Sequence, residues 1–252
     1  MYKILAKTLF TGKRIIYMPS CHSTNDMASE LAEKSDTADG TIVITSDQTK
    51  GKGQRGNSWE SEPDQNFTFS IIFKPTFLSV TDQFYLNVIT SLGIADFLIE
   101  LGLHAVKVKW PNDIYFGDSK LCGILISNSL KSRYIDKSIV GIGLNVNQKH
   151  FDTPKAASIS TITGRQYVLT DLFEVLVQKV EQRYIQLRGN QFNKLKTDYT
   201  DRLYWKGEMR TFKDDKGLFR GEISGFDKQG RLMVEAPDGT RSFGFKEIQY
   251  IE

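Results

Sequence analysis

The sequence has little of what several classes of protein depend on. It contains two cysteines and three histidines in 252 residues. Cys21 and Cys122 lie far apart, and His22, His104 and His150 give no spacing suitable for a zinc site. We therefore expect free thiols in a reducing cytoplasm.

Long apolar runs and a strong excess of one charge are missing too. Lys3, Lys7 and Thr8 interrupt the apolar residues at the amino terminus, and no run is long enough to cross a bilayer. Neither a signal peptide nor a membrane span is expected. The 33 Lys and Arg against 30 Asp and Glu leave a formal charge of +3, too slight to indicate a nucleic-acid partner.

The residues that are present predict a soluble α+β protein with one large domain and one small one. Hydrophobic residues make up 40% of the chain and charged residues 25%, which allows a full core. Strand candidates cover residues 41–46, 66–73, 106–110, 121–127 and 138–146. Turns rather than crossover helices separate the last three, so we expect a mixed, largely antiparallel sheet. Helical spacing covers residues 82–101 and, as two helices, residues 170–203.

A change to short β segments after Trp205 predicts the second domain. The segments cover residues 208–212, 218–224, 231–235 and 242–248. Their number and spacing are typical of a small β-barrel of about 45 residues. We therefore divide the chain into residues 1–204 and residues 205–252.

A glycine-rich loop follows the first strand candidate, and we expect residues 47–57 to hold no regular structure. Its glycines let backbone N–H groups close around an anion, for which Lys52 and Arg55 can supply countercharge. Trp59 ends the loop. A solvated flexible loop is an equally good interpretation of the composition alone, and no Walker motif is present.

A short strand candidate carries two lysines on one face. Because the ammonium groups of Lys107 and Lys109 repel each other there, an anion or a carboxylate should lie near them. A proline then ends the strand and leaves Asn112 and Asp113 in a turn that leads to Lys120. An ordinary turn is the simpler interpretation of these residues taken alone.

The strand candidate around Gly141 has an unusual face. Gly141, Gly143, Asn145 and Asn147 share it, and glycine and asparagine are poor strand formers. Close approach of a ligand explains this face better than a bulge does.

Residues 23–26 match a capping box that opens an amphipathic helix, and this structural interpretation is sufficient by itself. If a cleft lies there, Ser23, Thr24 and Asn25 also offer hydroxyls and backbone donors to a carboxylate or a urea-like ring.

Taken together and in order, these motifs resemble the biotin protein ligase family, the biotin--[acetyl-CoA-carboxylase] ligases. The motifs are residues 23–25, 51–59, 109–113 with Lys120, and 141–145. Residues 221–225 and 230–232 also look like the family's carboxyl-terminal domain, so the resemblance covers most of the chain. About twenty residues precede Ser23, which suggests the form without an amino-terminal DNA-binding domain and no DNA partner.

The resemblance implies a fold and a reaction. The core would be like that of the class II aminoacyl-tRNA synthetases, and residues 1–204 would form the catalytic domain. ATP and biotin would be the substrates, with Mg²⁺, and biotinyl-5'-AMP the intermediate. The acceptor would be a lysine of a biotin carboxyl carrier protein or carboxylase carrier domain. A cytoplasmic monomer or homodimer is expected.

The resemblance also implies roles for particular residues. Biotin would contact Ser23, Thr24, Asn25, Gln48, Gly51, Lys52, Lys120, Gly123 and Gly141. The nucleotide would contact Arg55, Trp59, Lys109, Asn112, Asp113 and Asn145. Lys120, Lys52 and Arg55 would serve catalysis, and Asp113 would bind Mg²⁺. The family more often has arginines where Lys52 and Gln54 stand, so weaker retention of the adenylate is expected, which its measured release rate would test.

Three other functions compete with this interpretation. A lipoate or octanoate ligase or transferase of the same superfamily would share the core, although residues 109–113 and the barrel favour biotin. A non-enzymatic binding module would not need a strand of glycines and asparagines. A nucleic-acid-binding protein would use the basic loop and Trp59, but the balanced charge opposes it.

Overall fold

The computed structural model describes residues 5–34 and 37–251, without the side chain of Arg55. The first sheet and its helices comprise β1 (Ile15–Cys21), α1 (Thr24–Glu33), β2 (Thr41–Gln48), β3 (Asn66–Phe73), α2 (Tyr85–Glu100), β4 (Val106–Lys109), β5 (Asp113–Phe116), β6 (Ser119–Lys131), β7 (Tyr134–Asn145), α3 (Ile159–Thr163), α4 (Leu169–Arg188) and α5 (Phe192–Asp201). The second sheet comprises β8 (Met209–Asp214), β9 (Gly217–Phe226), β10 (Leu232–Ala236), β11 (Gly239–Phe243) and β12 (Gln249–Ile251).

The first sheet is mixed and largely antiparallel, as predicted. Its strand order is β1-β2-β3-β7-β6-β5-β4, and β1 pairs with β2 in parallel whereas the other neighbours are antiparallel. β1 is a strand that the sequence analysis missed. β5 is a correction, because Asp113 begins a strand rather than sitting in a turn.

Side-chain alternation explains how both faces of this sheet are covered. In β2, Ile42 and Ile44 face the main core, whereas Val43 faces α1. On that second face Ala28 and Ala32 of α1 pack against Val43, where small residues allow a close approach. α2, α4 and α5 cover the main core face. β3, in the middle, is buried along its whole length.

The capping-box prediction at residues 23–26 is wrong in its chemistry. Ser23 is the N-cap of α1, but its side chain makes no capping hydrogen bond. Instead the backbone N–H of Thr24 donates to the side chain of Gln48. A true capping box stands at α3, where Ser158 and Thr161 bond each other reciprocally.

The residues after Trp205 form a five-stranded antiparallel sheet of order β11-β10-β9-β8-β12. Three predicted segments match β8, β9 and β10. The fourth, residues 242–248, is wrong, because β11 ends at Phe243 and a loop follows before β12. Closure into a barrel stays a prediction, and so does the domain boundary after residue 204.

One hydrophobic cluster runs through both sheets. Phe84, before α2, contacts the ring of Phe226 in β9, and the indole N–H of Trp110 donates to the carbonyl oxygen of Gly230 at 2.9 Å. These contacts fix the second sheet against the first. Within the described residues, no helix is long and apolar enough to cross a membrane.

Gly93 marks the closest crossing of α2 and α4, since a Cβ there would lie 2.6 Å from the Cα of Val180. Overpacking against the backbone of Val180 should cost about 3 kcal/mol, the upper part of the usual range, because a backbone atom cannot move aside easily. Against a gain in helix propensity of about 1 kcal/mol, Gly93→Ala should lower the free energy of unfolding by about 2 kcal/mol. Chemical denaturation measures this. Gly189→Ala is the control, because Gly189 has a φ of −81° and a nearest contact of 3.3 Å. Equal stability of the two variants would contradict the prediction.

Candidate functional site

The face of the first sheet on which β6 and β7 carry glycines lines a cavity of about 760 Å³. The start of α1, the glycine-rich loop and the loop between β11 and β12 complete its walls. Most of the predicted site residues line it: Ser23, Thr24, Asn25, Gln48, Lys52, Trp59, Lys109, Asn112, Asp113, Lys120, Gly123 and Gly141.

Three predicted residues, Gly51, Arg55 and Asn145, are not among these lining residues. Gly51 does not line the cavity; a Cβ there would overlap the carbonyl oxygen of Trp59, so this glycine lets the two arms of the loop approach. Asn145 does not line it either, because it is buried and its amide donates to the carbonyl oxygen of Ala157 at 3.0 Å. The side chain of Arg55 lies outside the described part of the structure.

A buried polar cluster forms one end of the cavity. Gln48 Oε1 accepts from the backbone N–H of Thr24 at 2.8 Å and from its hydroxyl at 3.2 Å. Ser70 donates to Asn25 Oδ1 at 2.6 Å. A Cβ on Gly141 would overlap the Asn25 amide, so the glycine makes room for it. Sequence analysis missed Ser70, although a serine inside the buried strand β3 was the available signal.

The indole ring of Trp59 lies across the glycines of β6 and β7. A Cβ on Gly123 would lie 3.0 Å from the ring, and one on Gly143 would overlap it. Trp59 Nε1 is buried and has no hydrogen-bond partner among the described residues. The unusual glycine face thus accommodates a flat aromatic side chain, and the same groove can hold other flat or apolar groups.

An ion pair joins the ends of β5 and β6. Lys120 Nζ lies 2.8 Å from Asp113 Oδ2. Burial raises the pKa of Asp113, and the charges of Lys120 and Lys109 oppose this without cancelling it. Among the described lining residues Asp113 is the one carboxylate, against the four lysines Lys52, Lys109, Lys120 and Lys246. The cavity therefore favours an anionic ligand.

Lys109 is held by aromatic rings. Its ammonium group lies 4.8 Å from the ring centre of Tyr115, 5.4 Å from that of Tyr204 and 4.9 Å from that of Tyr250. Burial lowers the pKa of Lys109, and Asp113, its partner in the β4–β5 ladder, counteracts this. Asp113 is thus a carboxylate beside Lys109, one of the two lysines for which such a neighbour was expected.

The glycine-rich loop has more structure than expected, so that prediction is wrong. Its arms pair through the N–H of Trp59 to the carbonyl of Gly51 at 2.9 Å and the N–H of Gly53 to that of Asn57 at 2.7 Å. A 3₁₀ turn closes the tip over Gln54–Gly56. Lys52 pairs with Asp26 Oδ2 at 2.7 Å and is half-exposed, so the loop is tied to α1.

The second sheet supplies lining residues that the sequence analysis did not find. Phe245, Lys246 and Ile248 come from the β11–β12 loop, and Tyr250 comes from β12. No local pattern marks them, because they reach the cavity only through docking of one sheet on the other.

Comparison with known proteins identifies the family of this chain. The model of the biotin/lipoate A/B protein ligase family matches residues 17–145. The chain belongs to this family. The resemblance inferred from the motifs is thereby confirmed.

Individual relatives match over most of the chain. The bifunctional ligase/repressor BirA of Bacillus subtilis is 27% identical over 249 residues, 96% of this chain and 76% of that protein. The biotin--[acetyl-CoA-carboxylase] ligase of Mycobacterium tuberculosis is 28% identical over 228 residues, 86% of this chain and 82% of that protein. The solved biotin protein ligase from Aquifex aeolicus in complex with biotin and ATP has a TM-score of 0.77 at 24% identity, covering 95% and 100% of the two chains. That likeness shows a common fold.

The position of Trp59 can be tested without any ligand. Gly143→Ala places a methyl group where the indole ring lies, so the ring must leave the glycine groove. Tryptophan emission should shift to longer wavelength as the ring of Trp59 becomes more exposed to solvent. Trp110 and Trp205 are buried and should not contribute to the shift. In a Trp59→Phe background the same substitution should leave the emission unchanged. An unshifted spectrum of Gly143→Ala itself would contradict the placement.

Proposed function

We propose that this protein is a biotin protein ligase, which uses ATP to form biotinyl-5'-AMP and then transfers biotin to a lysine of a carboxylase carrier domain. One observation carries the proposal: a buried polar cluster, a glycine groove and a set of lysines adjoin in one cavity. The names of the relatives, and the biotin and ATP of the Aquifex aeolicus complex, support the same substrates.

The polar cluster is assigned to biotin. Ser23, Thr24, Asn25 and Gln48 offer donors and acceptors that suit a ureido ring, and protein hydrogen bonds already orient Thr24, Asn25 and Gln48. The glycine groove beside Trp59 suits the apolar part of the molecule. Together they would direct the carboxylate toward Lys120.

The lysine-rich end is assigned to ATP. Lys109 and Lys120 face it from the first sheet, and Lys246 and Tyr250 reach it from the second. The catalytic unit is assigned to residues 1–204, with the second sheet, within residues 205–252, completing the nucleotide end. The fit of the two sheets then matters for ATP more than for biotin.

The residues present do not fit a magnesium site made of protein ligands alone. No group of three or more histidine, cysteine or acidic side chains comes together in residues 5–34 and 37–251. Of the lining residues that the structure describes, Asp113 alone is a carboxylate, and it is paired with Lys120. We assign Mg²⁺ to the triphosphate with which it would arrive, with Asp113 as its candidate protein contact.

The reaction needs positioning and charge neutralisation more than a covalent enzyme intermediate. A biotin carboxylate oxygen attacks the α-phosphorus of ATP, and pyrophosphate leaves with the electrons of the broken P–O bond. The acceptor amine then attacks the carbonyl carbon of the mixed anhydride, AMP leaves, and the amine loses a proton. Lys120 would stabilise the negative charge that develops in both steps.

A lipoate or octanoate ligase remains the second candidate, because the matching family model also covers lipoate ligases. Pyrophosphate release from ATP distinguishes the candidates. Biotin should support release at least about 100-fold better than lipoate or octanoate, since an unsatisfied buried polar cluster penalises them. Equal or faster release with either fatty acid would overturn the assignment.

Lys120→Ala should lower the rate of adenylate formation about 100-fold to 1,000-fold, the effect of losing one donor to a developing oxyanion. Single-turnover pyrophosphate release measures this. Lys107→Ala is the control, because Lys107 is an exposed lysine outside the cavity. A wild-type rate in Lys120→Ala would remove Lys120 from the mechanism.

A further inference from the structure

Lys120 is held by its backbone to a loop outside the sheet. Its N–H donates to the carbonyl oxygen of Lys155 at 2.7 Å, and its carbonyl accepts from the N–H of Ala157 at 3.0 Å. The Asn145 amide holds the other side of the same loop at Ala157. The placement of the Lys120 side chain in the cavity thus depends on where residues 153–157 lie.

Glu60 holds the beginning of this loop with its carboxylate. Oε1 accepts from the N–H of Asp152 at 3.1 Å and from the side chain of Gln148 at 3.4 Å. Oε2 accepts from the N–H of Thr153 at 3.2 Å and from its hydroxyl at 3.1 Å. One side chain therefore fixes two successive backbone groups by using both of its oxygens, whereas an amide would put an NH₂ group, which cannot accept, in one of the two positions.

Glu60 directly follows Trp59, the last residue of the glycine-rich loop, so it is covalently joined to that loop. Buried amide side chains hold the neighbourhood of Glu60 in place. The side-chain oxygen of Gln148 accepts from the N–H of Glu62 at 3.0 Å and from the Asn66 amide. Burial favours the neutral form of Glu60, but the hydrogen bonds from Asp152, Thr153 and Gln148 outweigh it and lower the pKa. The carboxylate is accordingly charged at neutral pH, and its hydrogen bonds are of the stronger, charge-assisted kind.

We propose that Glu60 is a positioning residue of adenylate formation, which couples the glycine-rich loop at Trp59 to the placement of Lys120 through residues 152–157. The inference rests on the proposed function for its kinetic part and on geometry alone for its structural part. A ligand that moves Trp59 in the groove would move Glu60, and through it the loop that holds Lys120. Binding of a ligand in the groove and the position of Lys120 would then be coupled.

Glu60→Gln tests the kinetic part. It keeps the size of the side chain but replaces one acceptor oxygen with an NH₂ group that cannot accept. Single-turnover adenylate formation at saturating biotin and ATP should fall about 10-fold to 100-fold, the range expected for lost hydrogen bonds to a charged group. The KM for biotin should change less than about 3-fold, because the polar cluster is untouched. Glu62→Gln, an exposed glutamate two residues away, should keep the wild-type rate.

A double variant separates positioning from mere stability. If Glu60 acts through Lys120, adding Glu60→Gln to Lys120→Ala should cause no further loss of rate. Multiplied losses would overturn the proposal, as would a wild-type rate in Glu60→Gln. If the wild-type protein itself released no pyrophosphate with biotin, the proposed function would fail instead.

Hydrogen exchange tests the structural part independently of activity. The amides of Lys120 and Ala157 should exchange about 10-fold faster in Glu60→Gln, whereas those of the buried strand β3 should not change. Thr153→Val removes only the hydroxyl donor and should give a smaller effect in the same direction. Unchanged exchange at Lys120 and Ala157 in Glu60→Gln would refute the coupling whatever the reaction proves to be.

Discussion

The site depends on three glycines, which carry no side chain, on one face of β6 and β7. At Gly123, Gly141 and Gly143 a single Cβ would meet or overlap Trp59 or Asn25. Strands lose stability when they carry glycine, because backbone freedom is lost without packing in return. Burial of apolar side chains in β3 and in the helix α2, most of whose residues are buried, offsets this cost.

Charge is distributed in the cavity so that an anion completes it. Lys109 is held by tyrosine rings, and Lys120 pairs with Asp113, the one carboxylate among the described lining residues. A phosphate or carboxylate could compete with Asp113 for Lys120, because burial raises the pKa of Asp113 and so weakens its preference for the charged form. The ion pair thus places Lys120 in the cavity and leaves it able to bind an anion.

Sequence patterns predicted the parts of the fold that periodicity controls. The buried strand β3 and the helix α2 were found because apolar residues repeat at the right spacing. β5 was not, since the polar residues after Pro111 suggest a turn, and the strand forms through its pairing with β4 and β6, which no local pattern shows. Tyr250 and Lys246 could not be found at all, because their part in the cavity comes from the docking of β12 and its loop on the first sheet.

Asn145, the last residue of β7, and Asn147, two residues beyond it, have structural partners in the protein. Asn147 binds the backbone of Tyr167 in both directions, and Asn145 holds Ala157. Both side chains tie loops to the end of the strand, which is where a polar residue in a sheet can satisfy backbone groups that have no strand partner. In β7 the glycines therefore leave room on the face of the sheet, whereas the asparagines that follow them anchor neighbouring loops to the same strand. The polar residues at the end of β7 are accounted for by these anchoring hydrogen bonds.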